Sequence, residues 1–184
     1  MRAIEFYTTP KGDVMLKPED MPETELKETD YDFINRLLSI LEEFYTDAYN
    51  ALLKVYGKNA LNKAYQRFLM IRRFIKCNFG NYDNMVDLDE NWNFNFEFVQ
   101  CPLRGECPLQ DVVCNPKFNS KLTDRQMDVM RMLYNGSDDE DIAEALFISP
   151  ETVKNHRKNS FRKLGIHSLS EFMRYANKNN LFNH

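Results

Sequence analysis

Apolar residues recur at helical spacing once the chain passes Thr29 and Asp30, both suited to cap a helix. Ile34, Leu37, Leu38, Leu41, Phe44, Tyr45, Ala48, Leu52 and Val55 follow before Gly57 ends the run. A second run carries Leu61, Ala64, Tyr65, Phe68, Leu69 and Ile75. Two long amphipathic helices joined by a short glycine-containing loop predict an antiparallel pair. The period then drops to two. In WNFNFEFV, Trp92, Phe94, Phe96 and Phe98 alternate with Asn93, Asn95 and Glu97, which predicts a half-buried strand over 92–99. Its expected partner is 76–79, across the acidic loop NYDNMVDLDEN, and its aromatic face is expected to cover the helix pair. Residues 1–29 hold Pro10, Pro18, Pro22 and many acids, and read as an extended arm with a short strand or hairpin around Lys11–Gly12. Pro102, Pro108 and Pro116 punctuate a loop, and the composition shifts near 117–121. The expected units are therefore 1–29, 30–118 and 119–184.

The last of these reads as four short helices. Thr123-x-x-Gln126 is a capping box, followed by Met127, Met130, Leu133 and Tyr134 on one face and stopped by Gly136. Ser137-x-x-Glu140 opens a second helix carrying Ile142, Ala143 and Leu146. After the turn Phe147-Ile148, Ser149 caps a third helix with Pro150 at its first position, where the missing N–H costs nothing. That helix runs through Val153 to Leu164 and stops at Gly165; Ser168-x-x-Glu171 opens the fourth. Helix, tight turn and helix within about 25 residues match a helix-turn-helix unit.

Charge sharpens this picture. The net charge is −4, which argues against a generally cationic chain. Residues 117–184 nevertheless hold 11 basic and 9 acidic side chains, whereas residues 1–116 hold 13 and 19. The third helix, PETVKNHRKNSFRKL, sets Lys154, Arg157, Lys158, Arg162 and Lys163 against the single acid Glu151. Most charged helix faces are simply solvated. As the second element of a helix-turn-helix, this face points instead to the major groove, where Lys and Arg reach guanine acceptors and Asn pairs with adenine. No stretch approaches the roughly 20 apolar residues of a membrane span, and MRAIEFYTTPKGD lacks the apolar core of a secretory signal. The expectation is a cytoplasmic protein with no membrane partner.

These residues resemble a known family. Leu122-Thr123-x-Arg125-Gln126, Asp141-Ile142-Ala143-x-x-Leu146-x-Ile148-Ser149, Thr152-Val153-Lys154-x-His156 and Lys163-Leu164-Gly165 together look like the LuxR-type (GerE-type) helix-turn-helix of bacterial transcription regulators. The likeness covers about 60 residues in order and spacing. It implies that Lys154, Asn155 and Lys158 face base edges, that Thr152, Arg162 and Lys163 meet phosphates, and that Leu169, Phe172, Met173 and Ala176 on the fourth helix form a dimer contact. Two features depart from the pattern: the acidic run Asp138–Asp141 opens the second helix, and Asn155 is polar where many relatives carry a small or apolar residue.

Cys77, Cys101, Cys107 and Cys114 are the only cysteines and fall within 38 residues, as C-x23-C-x5-C-x6-C. In a reducing compartment four thiolates suit a closed tetrahedral zinc site, although this spacing is not that of a zinc knuckle. An iron–sulfur cluster uses the same ligands, and free thiols or a redox pair remain alternatives. The run CPLRGECPLQDVVCNPKFN ahead of such a helix-turn-helix also resembles a group of LuxR-type regulators from Bacteroidetes.

No phosphate loop, dinucleotide fingerprint, nucleophile elbow or HExxH assembles into an enzyme, and the histidines are confined to positions 156, 167 and 184. The expected fold is mainly α with a small β part: a helix pair, a β-hairpin and a four-cysteine loop, then the four-helix LuxR-type domain. The expected function is a DNA-binding transcriptional regulator, acting as a homodimer with RNA polymerase as a further candidate partner, and with an N-terminal module for assembly or sensing. The alternatives are an adaptor that uses the basic helix on a protein partner, and an iron–sulfur or redox sensing regulator.

Overall fold

The prolines and acids of residues 1–29 conceal a second period-two pattern, and the segment forms a sheet rather than an arm. In a computed structural model that describes residues 1–57, 61–80, 82–83, 85–179 and 181–182, β1 (Ile4–Thr8), β2 (Val14–Pro18) and β3 (Thr24–Glu25) pair antiparallel in the order β1-β2-β3. Ile4, Phe6, Val14 and Leu16 point inward, and Glu5 lies opposite Lys17 with an ion pair of 3.5 Å. The β1–β2 turn falls at the expected Lys11–Gly12. Gly12 adopts φ +89°, which favours glycine. Its carbonyl accepts hydrogen bonds from Arg72 Nη2 (2.7 Å) and Lys76 Nζ (3.1 Å).

The chain divides into two compact units, residues 1–117 and 118–184. In the first, the long helix expected over 30–57 is two helices, α1 (Tyr31–Phe44) and α2 (Thr46–Tyr56), broken at Tyr45. Tyr45 is buried with its ring edge-on to Phe94 and Phe96 at 5.9 and 5.4 Å, and its φ of −135° leaves the helical region. Aromatic packing thus overrides local helix propensity. The second expected helix is α3 (Lys63–Asn78), capped by Asn62, whose side chain accepts the Tyr65 amide. Leu61 lies outside it and is exposed.

The predicted strand at 92–99 does not form. Residues 76–78 finish α3, so no partner strand exists there, and among the described residues the pairing in this region is a pair of single bridges, Ile4 to Leu88 and Leu88 to Phe94. The alternation still sorts side chains. Phe94 is buried and Trp92 and Phe96 partly so, whereas Phe98 is 70% exposed. Phe6, Phe74, Phe79, Phe94 and Phe96 pack with centroids 5.2–6.2 Å apart, Phe79 and Phe96 stacked and the other pairs tilted or edge-on, and form the centre of this unit. Asn81 and Asn84 of the acidic loop, and His184, lie outside the described residues.

The second unit contains α4 (Asp124–Tyr134), α5 (Asp139–Leu146), α6 (Pro150–Leu164) and α7 (Leu169–Lys178). Its core gathers Val129, Met130, Leu133, Ile142, Ala143, Val153, Ile166, Phe172 and Ala176. The protein is therefore mainly helical with one small antiparallel sheet. No described helix is long and apolar enough to cross a membrane.

Candidate nucleic-acid interface

Each helix of residues 118–184 begins on its own cap. Thr123 and Gln126 form the reciprocal capping box, Ser149 accepts the Thr152 amide beside Pro150, and Ser168 accepts the Glu171 amide. One start differs from expectation. Asp138, not Ser137, caps α5, its carboxylate accepting the amides of Glu140 and Asp141. A carboxylate is the stronger acceptor and suits the positive end of the helix dipole.

The helix ends share a device as well. Ser137 N–H reaches Met132 O, Ile148 N–H reaches Ala143 O, and Ile166 N–H reaches Phe161 O, each at 3.0 Å. These six-to-one bonds pass over left-handed residues, Gly136 (φ +92°), Phe147 (+54°) and Gly165 (+67°). Phe147 makes the turn of the helix-turn-helix although it is not glycine, and its side chain is 93% exposed. Arg125 of α4 donates to the last carbonyl of α5, Leu146 O. The sequence reading missed that bond, although a cation is the expected partner for a helix C-terminus.

Helix α6 presents the predicted basic face unevenly. Lys154, Asn155 and Lys158 are exposed and, among the described residues, make no hydrogen bond or ion pair. Arg157 is committed elsewhere: its Nη1 lies 2.7 Å from Asp139 Oδ1, an ion pair that locks α6 to the start of α5. Arg157 thus holds the two helices together while about a third of its side chain stays exposed beside Lys154 and Lys158. The acidic run at the α5 N-terminus, a departure from the family pattern, supplies this partner. Lys163 Nζ donates to Gln126 Oε1 (2.8 Å) and Lys121 O (3.3 Å), tying α6 to the capping box of α4. Arg162 is exposed and donates to Asn159 Oδ1 at 3.1 Å. Thr152 Oγ1 sits 2.8 Å from Ser149 Oγ. A groove of about 570 Å³ beside the helix is lined by Lys154, Arg157, Lys158, Phe161, Arg162 and His167.

Of the four residues expected at a dimer contact, Phe172 and Ala176 are buried in this unit's own core and are corrected to core positions. Phe172 packs on Phe161 at 5.9 Å, and Ala176 is small enough to let helices approach. Leu169 is half exposed and Met173 partly buried, so these two remain at the surface.

The cysteines lie in the other unit, around the last turns of α3. Arg73 Nη2 donates to Cys107 Sγ at 3.5 Å. Asn78, fully buried, donates to Val113 O (2.8 Å) and accepts from Asn115 N–H (2.7 Å), so it grips both neighbours of Cys114. All four cysteines are partly buried and unbridged. Burial first, then the nearby Cys114, pushes the Cys77 thiol up to about 12, and burial raises Cys114 as well. Among the described residues no three His, Cys, Asp or Glu side chains are already disposed as a metal-ligand group.

Residues 120–176 match the family described as bacterial regulatory proteins, luxR family. The helix-turn-helix above is therefore a LuxR-type domain. Similar proteins include the Fimbriae Z protein of Salmonella typhimurium, 42% identical over 60 residues, covering 33% of this chain and 29% of that protein. The nitrate/nitrite response regulator protein homolog of Haemophilus influenzae is 53% identical over 47 residues, covering 26% and 23%. The CsgBAC operon transcriptional regulatory protein of Escherichia coli is 32% identical over 93 residues, covering 44% and 43%. The chain thus spans less than half the length of each of these relatives. No solved structure matches it.

Proposed function

We propose that this protein is a sequence-specific transcriptional regulator that acts in the cytoplasm, binding double-stranded DNA as a homodimer with α6 in the major groove. The observation that carries this reading is the division of labour on α6. Arg157 and Lys163 bond to neighbouring elements of the domain, whereas Lys154, Asn155 and Lys158 stand exposed over the first and middle turns of the helix, with no side-chain partner among the described residues, as the face offered to base edges. Lys154 and Lys158 supply donors for guanine, Asn155 a bidentate match for adenine, and Arg162 and Thr152 contacts to phosphate. Leu169 and Met173 are the surface available for a second copy, and RNA polymerase is a further partner of the assembled complex. Residues 1–117 act in assembly or sensing, consistent with the cysteine run that resembles the Bacteroidetes group.

The test is to select a preferred duplex from random sequences with the full chain, then titrate it at several salt concentrations. Affinity is expected to fall linearly on logarithmic axes as phosphate-bound counterions are released. Lys158→Ala is expected to weaken the selected duplex by about 1–3 kcal/mol and to relax the choice at one base position. An unchanged affinity would remove Lys158 from the readout set. Salt-insensitive capture of a protein without DNA binding would overturn the whole reading.

A further inference from the structure

We propose that Cys77, Cys101, Cys107 and Cys114 form one tetrathiolate site for a thiophilic metal centre, a zinc ion or an iron–sulfur cluster, at the C-terminal end of α3. Separate devices bring the chain there. Asn78 is the residue next to Cys77, and its side chain bonds to the residues on either side of Cys114, at 2.8 and 2.7 Å. That side chain is completely buried, so the register between α3 and the 113–115 segment is set by bonds that water cannot replace. Arg73, one turn before Cys77 on the same helix face, reaches Cys107 through Nη2 at 3.5 Å. Its Nε is buried and has no hydrogen-bond partner among the described residues. A buried guanidinium donor left over beside a thiol is suited to a thiolate, whose negative charge it compensates.

The loop that carries three of the cysteines also lacks the means to hold itself. From Cys101 to Pro116 it is a succession of turns, with Arg104 N–H to Cys101 O, Cys107 N–H to Leu103 O and Gln110 N–H to Cys107 O at 3.0–3.1 Å. Only Leu109, Val113 and Pro116 are buried in it. Ordering sixteen residues on three buried side chains is unfavourable by ordinary packing. Ligation supplies the missing term, because metal-binding energy becomes folding energy while the thiols lose their protons and close on one centre. The donor set is entirely sulfur, which selects zinc or iron–sulfur chemistry over calcium or magnesium. Four protein ligands leave no open position, so the centre is structural or sensory.

The inference is independent of the DNA-binding proposal, since metal is measured on the free protein and either can fail alone. Full-length protein purified without oxygen is analysed for zinc, iron and acid-labile sulfide, with its visible absorption spectrum. About one colourless zinc per chain identifies the ion; iron with stoichiometric sulfide and visible absorption identifies the cluster. Either supports the site. Single Cys→Ser variants at all four positions are expected to lose the metal. Because such variants can also unfold, Arg73→Met provides a second reading that leaves the ligands in place. It is expected to lose metal to a chelator about tenfold more readily, with Arg73→Lys restoring part of the difference. Alkylation of the unmodified protein should label the four thiols only after chelation. Metal-free protein with four freely alkylated thiols, or a Cys77–Cys114 disulfide in its place, would overturn the proposal.

Discussion

In residues 118–184 a helix begins on a side chain three or fewer positions away. Thr123 serves Gln126, Asp138 serves Glu140 and Asp141, Ser149 serves Thr152, and Ser168 serves Glu171. In residues 1–117 the decisive bonds span most of the unit. Asp87 accepts the amide of Phe6, 81 positions earlier, Glu5 accepts that of Asp83, and Asn78 clamps 113 and 115. Neither α1 nor α2 has a side-chain cap among the described residues. One unit is built from local rules and can be recognised from a string of short motifs. The other exists only once distant segments meet, and the same alternation that marks a strand elsewhere marks a packed irregular segment here.

Substitutions in the two separate cores have the largest expected effects. Phe74→Ala should cost about 3–5 kcal/mol and melt residues 1–117 while amide exchange in α4–α7 stays slow. Phe172→Ala should cost a similar amount and melt the other unit instead. Because Phe172 is core, the variant is expected to lose its folded helix-turn-helix rather than yield a folded monomer. A folded, monomeric Phe172→Ala protein in sedimentation and circular dichroism would return that residue to the dimer surface.

A second difference is electrostatic. Burial holds the Asp87 carboxyl up to about 8, with Glu97, Glu5 and Asp83 adding to the rise and the Phe6 amide opposing it. Its usual value is 3.8. The folded unit keeps a proton that the unfolded chain releases, so this group's contribution to stability falls as pH rises from about 4 to about 8, then levels off. Asp87→Asn keeps an acceptor for Phe6 and removes the charge. It should raise the melting temperature of residues 1–117 at about pH 8.5, change it little below about pH 4, and flatten the profile between. A profile as steep as the parent's would assign the dependence to other groups.

The smallest expected effects lie in the helix ends. Gly165→Ala places a side chain at φ +67° and should cost about 1–2 kcal/mol by denaturant titration. Phe147→Gly relieves a similar backbone conformation and, the side chain being exposed, should alter stability by less than about 1 kcal/mol. A large loss in Phe147→Gly would show that the aromatic ring contributes packing that its exposure conceals.

Much of the candidate interface was legible because its causes are local. Lys154, Asn155 and Lys158 fall on one face by helix period alone, and Ser149 with Pro150 sets where that helix begins. What the sequence could not show was which cations were already taken: Arg157 meets Asp139 and Lys163 meets Gln126 only after α4, α5 and α6 pack. Phe172 and Ala176, which the family resemblance implied at a dimer contact, are likewise claimed by the core only in the folded domain.

By itself the sequence determined the four helices of the LuxR-type domain, their caps and stops, the hairpin turn near Gly12 and the basic face of α6, since each rests on contacts between near neighbours. Only the tertiary structure decided that residues 1–29 are a sheet, that the first helix breaks at Tyr45, and that Trp92–Val99 is not a strand. Those outcomes depend on long-range contacts, above all the edge-on and tilted packing of Tyr45 and Phe74 against Phe94 and Phe96. Such contacts outweigh the tenths of a kilocalorie by which local propensities differ.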